Sequence, residues 1–231
     1  MRKVMTVVFL VLAFTAAAFA KEPQLEKATN VLNEIMATPD RGIPHDLLDK
    51  AVCVGIVPSE IKAAFVVGAN YGRGVMVCRR HGDGSWGAPS KFTMGGGSFG
   101  FQIGGEATDV VFLVMDEGGA RKFVADDVKL GADASITAGP VGRTAEAATD
   151  AQLHAEILSY SRTRGLFAGI SLAGTVVKQD HGENRRLYGR DISAKEILFG
   201  DVRVPPPAFE LNAALKRYSP RGGQPFSSAS L

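Results

Sequence analysis

Lys91-Phe92-Thr93-Met94-Gly95-Gly96-Gly97-Ser98-Phe99-Gly100-Phe101-Gln102-Ile103-Gly104-Gly105-Glu106, the centre of a run from Trp86 to Asp116, decides the fold. Phe99, Phe101 and Ile103 alternate with Ser98, Gly100, Gln102 and Gly104, a period of two that reads as β structure with large side chains on one face. The other face is nearly bare. Glycine inside a strand costs conformational entropy, so its repeated use marks a bend, a bulge, or the close approach of another backbone or a ligand. A phosphate cradle does not fit the spacing: no Gly-x-x-x-x-Gly-Lys-Ser/Thr occurs, and Gly105 is followed by Glu106-Ala107-Thr108-Asp109 and an apolar strand, where a dinucleotide fingerprint needs a helix. Backbone packing is the expected use of these glycines.

Outward from this run, strands are expected at Ala51 to Val57, Ala64 to Ala69, Gly74 to Arg79, Val110 to Met115 and Arg121 to Ala125. His81-Gly82-Asp83-Gly84 and Glu117-Gly118-Gly119 read as hairpin loops, and hairpins imply antiparallel pairing. A further hairpin is expected through Glu156 to Arg162 and Leu166 to Val177, turning at Arg164-Gly165. Helices flank the strands. Residues 22 to 37 place Leu25, Ala28, Leu32, Ile35 and Met36 on one stripe, a short helix starts at Pro44 with Leu47 and Leu48 inward, Ser193-Ala194-Lys195-Glu196 is a capping box, and a last helix from Pro207 buries Leu211 and Leu215. The fold class is α+β: a single domain with a strongly twisted, mainly antiparallel β-sheet or partial barrel, flanked by N-terminal and C-terminal helices.

Arg2 and Lys3 precede an apolar stretch that closes on Ala18-Phe19-Ala20, the order of a secretory signal peptide, so residues 1 to 20 are expected to be removed and the chain exported, to the periplasm or the medium, the alternative being an uncleaved membrane anchor. Residues 21 to 218 form the domain, and 219 to 231, with Pro-Arg-Gly-Gly-Gln-Pro, read as a disordered tail. Taking Arg2 and Lys3 from the 26 basic residues leaves 24, equal to the 24 acidic ones. A general attraction to nucleic acid is therefore not expected, and an anionic partner must be met by local cations. Cys53 and Cys78 lie in strand-like runs, and export makes a disulfide between them available, the alternative being two separately buried thiols. With four histidines and no His-x-x-x-His pair, metal chemistry has no footing, and no cofactor is expected.

The blocks Gly72-Arg73-Gly74-Val75, Trp86-Gly87-Ala88-Pro89, Gly100-Phe101-Gln102-Ile103-Gly104 with Asp109, and Tyr160-Ser161-Arg162-Thr163-Arg164-Gly165-Leu166-Phe167-Ala168-Gly169 stand in an order that resembles the SYLF domain, also called the Ysc84 or DUF500 family, over about residues 25 to 217. The resemblance implies phospholipid binding, with phosphoinositide preference and actin-related roles in eukaryotic members, and no enzymatic activity. A signal peptide and the lack of an SH3 or FYVE partner sequence set this chain apart from those relatives, and the actin role is not carried over.

An anionic head group needs guanidinium or ammonium groups, and acyl chains need an apolar face. Arg162 and Arg164 beside Tyr160, and Arg73 between two glycines, are the candidates for the first; Leu32 and Ile35 on the N-terminal helix are candidates for the second, although core packing explains the same stripe. Two other classes compete. Gly96-Gly97-Ser98-Phe99-Gly100 formally satisfies Gly-x-Ser-x-Gly, but a nucleophile elbow joins strand to helix, whereas Ser98 lies within strand sequence. Paired carboxylates among Glu106, Asp109, Asp116, Glu117, Asp126 and Asp127 are what strands and turns produce routinely. An envelope module that binds a protein through a sheet edge is the remaining alternative.

Overall fold

The structure, a computed structural model, describes residues 22–37, 42–64, 67–80, 82–99, 104–141, 154–163 and 165–220. The expected signal peptide, Arg164, Phe101, Ile103 and all of the tail beyond Pro220 lie outside these residues. Nine strands form one sheet: β1 Cys53–Ala64, β2 Val67–Cys78, β3 Ser90–Phe99, β4 Gly104–Val114, β5 Asp127–Lys129, β6 Ile136–Ala138, β7 Ile157–Thr163, β8 Leu166–Gly169 and β9 Val176–Gln179. The order is β5-β9-β3-β2-β1-β4-β7-β6, with β8 on β7, and the sheet curls into a half-barrel. Pairing is antiparallel throughout except between β6 and β7. The helices among the described residues are α1 Pro23–Met36, α2 His45–Lys50, α3 Glu117–Phe123, α4 His181–Tyr188, α5 Ala194–Phe199 and α6 Phe209–Tyr218, the last entered by a 3-10 turn at Pro206–Ala208.

Both faces of the sheet are covered, and the period of two sorts the side chains between them. Val54, Ile56, Val75, Val77, Val111, Leu113, Leu158 and Tyr160 meet Leu25, Leu32 and Ile35 of α1 and Leu211 and Leu215 of α6. The opposite face carries Cys53, Val57, Met76, Cys78, Phe92, Val110, Phe112 and Val114 against Phe123 of α3, Val128, Leu130 and Leu172. Cys53 and Cys78 stand opposite each other in the β1–β2 register and are joined by a disulfide.

Several local expectations are corrected. Glu117-Gly118-Gly119 opens α3 instead of a hairpin, because Asp116 Oδ1 accepts from the Gly119 amide at 2.7 Å, with Glu117 in the first turn and Arg121 and Lys122 in the last. The expected strand at Arg121 to Ala125 is thus helix, anchored by Phe123 edge-on to Phe92 at 5.5 Å. The three short strands between Ala51 and Arg79 are two twelve-residue strands. Pro58 is absorbed at a register shift between Val57 and Glu60, where Ser59 takes φ 56°. The hairpin after Glu156 ends at Gly169, and the chain crosses to pair Val176–Gln179 with β3. The capping box at Ser193 forms in half. Ser193 Oγ accepts from the Glu196 amide at 3.1 Å, while the Glu196 carboxylate turns to Arg190 at 2.7 Å. Ser219, placed in the tail by composition, is buried in the domain.

The glycines serve close approach. A Cβ on Gly96 would stand 3.2 Å from the Thr175 Cα, so β3 and the lead into β9 meet backbone to backbone. A Cβ on Gly72 would fall 2.5 Å from Val57 Cγ1, and one on Gly74 only 2.3 Å from Phe92 Cζ. Gly74→Ala is expected to destabilise the fold by about 2 kcal/mol through overpacking. Urea unfolding measures it, and a loss within experimental error would show that the Phe92 ring moves aside freely.

Candidate functional site

Arg73 lies between Gly72 and Gly74, so its side chain leaves the opposite face of β2 from theirs, the face on which α1 packs. Gln24 Nε2 donates to the Gly74 carbonyl at 3.1 Å and fixes the start of α1 beside Arg73. From the other flank, the buried Asn184 of α4 accepts from the Lys91 amide at 2.7 Å and donates to Ser90 Oγ and the Lys91 carbonyl, which holds α4 on β3. These attachments enclose a cleft of about 350 Å³, lined by Glu22, Pro23, Gln24, Lys27, Pro58, Arg73, Lys91, Glu183 and Arg186.

Four cations and two carboxylates line this cleft. The Lys91 side chain is 1% exposed, and its ammonium stands 2.6 Å from Glu22 and 3.4 Å from Glu183. Burial of an ammonium is costly unless it is paired, and the two glutamates meet that need. Arg186 Nη1 adds a contact to Glu183 at 2.8 Å. Lys27 and Arg73 differ: both are exposed, and neither has a carboxylate partner among the described residues. Arg73 Nε donates to the Tyr71 hydroxyl at 3.3 Å, a bond that raises the guanidinium's pKa further, and Tyr71 is itself 51% exposed. Among the described residues no side chain caps the N-terminus of α1.

The other sequence candidates fall elsewhere. Arg162 stands opposite Asp109 in the β4–β7 register and donates from Nε and Nη2 to Asp109 Oδ2 at 3.1 and 2.7 Å, while Nη1 pairs with Glu34 of α1. Burial works against this charge, but the two carboxylates outweigh it and the net shift is upward. Asp109 Oδ1 also accepts from the Ser59 amide at 2.9 Å, so the cluster ties α1 to the irregular turn in β1. Tyr160 is buried and stacked on Phe167 with centroids 5.3 Å apart, and burial pushes its phenol well above the usual range. Leu32 and Ile35 are in the core. Of the sequence candidates among the described residues, only Arg73 lies in the cleft. The cleft's Lys27, Lys91, Glu183 and Arg186 come from three further elements; one signal was legible, a lysine at position 91 inside an apolar strand.

A second cavity of about 400 Å³ lies between the 82–85 turn and α6, lined by Arg79, Trp86, Asn212 and Lys216 among others. Its guanidinium is already occupied. Arg79 is 1% exposed, donates to the carbonyls of Ala51 at 3.0 Å and Gly84 at 2.9 Å and to Ser219 Oγ, and lies 4.0 Å over the Trp86 ring.

The carboxylates weighed for acid–base work have structural tasks where they are described. Asp109 holds Arg162, Asp116 caps α3, and Asp126 lies 3.3 Å from His181. Ser98 sits within β3, opposite Gly68 of β2, and Asp180 caps α4 by accepting from the Glu183 amide at 3.0 Å. Among the described residues no group of three His, Cys, Asp or Glu side chains is placed to hold a metal ion, and no helix is long and apolar enough to cross a membrane.

The fold and the cleft define an α+β half-barrel domain with a cation-lined opening at the head of its first helix. The chain belongs to the Ysc84 family. The family model described as "Las17-binding protein actin regulator" matches residues 95–218. LAS seventeen-binding protein 3 of Saccharomyces cerevisiae is 38% identical over 191 residues, 80% of this chain and 41% of that protein. Protein YSC84 of the same yeast is 37% identical over 194 residues, 80% of this chain and 41% of that protein. SH3 domain-containing YSC84-like protein 1 of Rattus norvegicus is 35% identical over 202 residues, 85% of this chain and 59% of that protein. The chain therefore spans roughly two to three fifths of the length of these relatives. The family description speaks of Las17 binding and actin regulation, and the first of these relatives is named for LAS seventeen binding.

Proposed function

We propose that this protein binds anionic phospholipid at a membrane surface, without catalytic turnover, as an exported protein of the cell envelope. The cleft at the head of α1 carries the reading: Lys27 and Arg73 present two cations that form no ion pair with a carboxylate of the described residues, Asp180 and Glu183 acting on Arg73 only from a distance. Exposed Tyr71 beside Arg73 suits the boundary between head groups and acyl chains, where aromatic rings with a polar tip settle. Arg162 is less suited, since Asp109 and Glu34 already match its charge. The Cys53–Cys78 disulfide supports an oxidising compartment, in keeping with the Ala18-Phe19-Ala20 cleavage signal. Kinship with proteins named for Las17 binding supports a second reading, in which the domain docks a protein partner of the envelope.

Vesicle co-sedimentation tests the first reading. The purified protein is expected to bind vesicles containing phosphatidylglycerol, to bind phosphatidylcholine vesicles poorly, and to be released by salt. At about 1 kcal/mol per basic residue near an anionic surface, Lys27→Ala with Arg73→Ala lowers affinity by about thirtyfold. Arg162→Ala, checked for folding, is expected to leave most of the binding in place. Equal binding to neutral and anionic vesicles would overturn the reading and turn attention to a protein partner.

A further inference from the structure

We infer that the cavity between the 82–85 turn and α6 takes the C-terminal residue of a peptide, an amide and a carboxylate joined by one carbon that bears an apolar side chain. The site is separate from the cleft at the head of α1 and does not rest on the lipid reading. Two orphaned atoms point to it. The indole Nε1 of Trp86 and Oδ1 of Asn212 are buried and have no hydrogen-bond partner among the described residues, and both residues wall the cavity. Buried polar atoms are almost always paired, so a donor and an acceptor left over at one cavity call for a group that carries both. The Asn212 amide cannot turn to relieve this, because Nδ2 donates to the Trp86 and Gly87 carbonyls at 2.9 Å each. A peptide unit supplies the missing pair: its carbonyl accepts from the indole, and its N–H donates to Oδ1.

The charges fix which part of a peptide fits. Lys216, one turn further along α6 from Asn212, is exposed and forms no ion pair with a described residue. Asp83 lines the cavity from the turn, its carboxylate held by the Ser85 amide at 2.9 Å and the Ser85 hydroxyl at 2.8 Å. A ligand carboxylate is repelled by Asp83 and drawn to Lys216, so a chain end enters with its charge toward α6. Trp86, Ala213 and Pro220 give the remaining wall apolar surface, and about 400 Å³ is the scale of a small-molecule pocket. The indole is set in place beforehand, because Arg79 lies 4.0 Å over its ring and is itself fixed on the Ala51 and Gly84 carbonyls.

Trp86 is the one tryptophan of the chain, so intrinsic fluorescence reports on this cavity directly. Titration with N-acetyl-leucine is expected to saturate with a shift of the emission maximum. N-acetyl-leucinamide, which lacks the carboxylate, and isocaproate, which lacks the amide, are each expected to bind about tenfold more weakly. Lys216→Ala is expected to weaken N-acetyl-leucine by about the same factor and to leave N-acetyl-leucinamide unchanged, a split that a merely structural lysine would not produce. Ala213→Leu, at an exposed position of α6 that lines the cavity, is expected to fill it and block all three probes. Thermal melts followed by circular dichroism check that both variants fold. No saturable change with N-acetyl-leucine, equal loss of both leucine derivatives in Lys216→Ala, or binding untouched by Ala213→Leu would each overturn the assignment. Displacement of N-acetyl-leucine by inorganic phosphate at the same concentration would reduce the site to an anion contact and overturn it as well. Each of these results is independent of vesicle binding at the other cleft.

Discussion

Arg79→Ala is expected to lower the free energy of unfolding by about 4 kcal/mol, the largest effect of any single substitution considered. The side chain is buried at the end of β2, and its three donors serve the Ala51 carbonyl, the Gly84 carbonyl and Ser219 Oγ. Those acceptors belong to the end of α2, the 82–85 turn and the residue after α6, so one guanidinium ties three separate segments. Ser219 in turn donates to Asp49 Oδ1 at 2.7 Å, which brings a carboxylate near the cation without direct contact. Burial lowers the Arg79 pKa and Asp49 partly restores it. Truncation leaves three buried acceptors without a donor, at about 1 kcal/mol or more each, and removes the stack on Trp86. Urea unfolding with an unchanged m-value is the measurement. Arg79→Lys is expected to recover less than half of the loss, because one ammonium cannot span three acceptors and cover an indole. A loss below about 1 kcal/mol for Arg79→Ala would show that water or Lys216 replaces the guanidinium.

Reduction of the Cys53–Cys78 disulfide, or Cys53→Ser with Cys78→Ser, is expected to cost about 3 kcal/mol. The two residues are 25 apart in sequence and directly opposite in the β1–β2 register, so the bond closes the hairpin at its base. Most of the effect comes from the unfolded chain, which gains freedom when the loop opens. Both side chains lie in the core beside Met76 and Val114, so the fold shields the bond from reductant until it opens. Unfolding curves with and without dithiothreitol, with thiol counting by mass spectrometry, check this. Two free thiols in protein purified from an oxidising compartment, or identical curves, would contradict it.

Elements governed by neighbours in the chain were legible before any coordinates. The stripe of Leu25, Ala28, Leu32 and Ile35 predicts α1, and the serine three residues before Glu196 marks the start of α5, because helix periodicity and caps act over a single turn. The near-continuous apolar runs at Val54 to Val57 and Val110 to Val114 mark strands, and the structure buries both of their faces. Errors arose where a local cue was outvoted from a distance. Glu117-Gly118-Gly119 has turn composition, yet Asp116 caps it and Phe123 finds the Phe92 and Phe112 rings, so it winds into helix. The strand expected over Ala51 to Val57 continues to Ala64, because a register shift with Ser59 in the left-handed region carries β1 past Pro58.

The candidate site divides in the same way. Glycines at 72 and 74 single out Arg73 in the sequence, and the alternation of a strand turns it to the face opposite theirs, beside Tyr71 and Val75. Arg162 and Tyr160 carry the same sequence signature of a cation beside an aromatic ring, but pairing with Asp109 and Glu34 engages the one, and stacking on Phe167 buries the other. Composition and periodicity alone settled the fold class, the two covering helices and the need for local cations in a chain whose net charge is only +2. Which cations stand unpaired was settled by the meeting of α1, β2, β3 and α4, because the charge that a side chain offers a ligand depends on the carboxylates that long-range packing sets beside it.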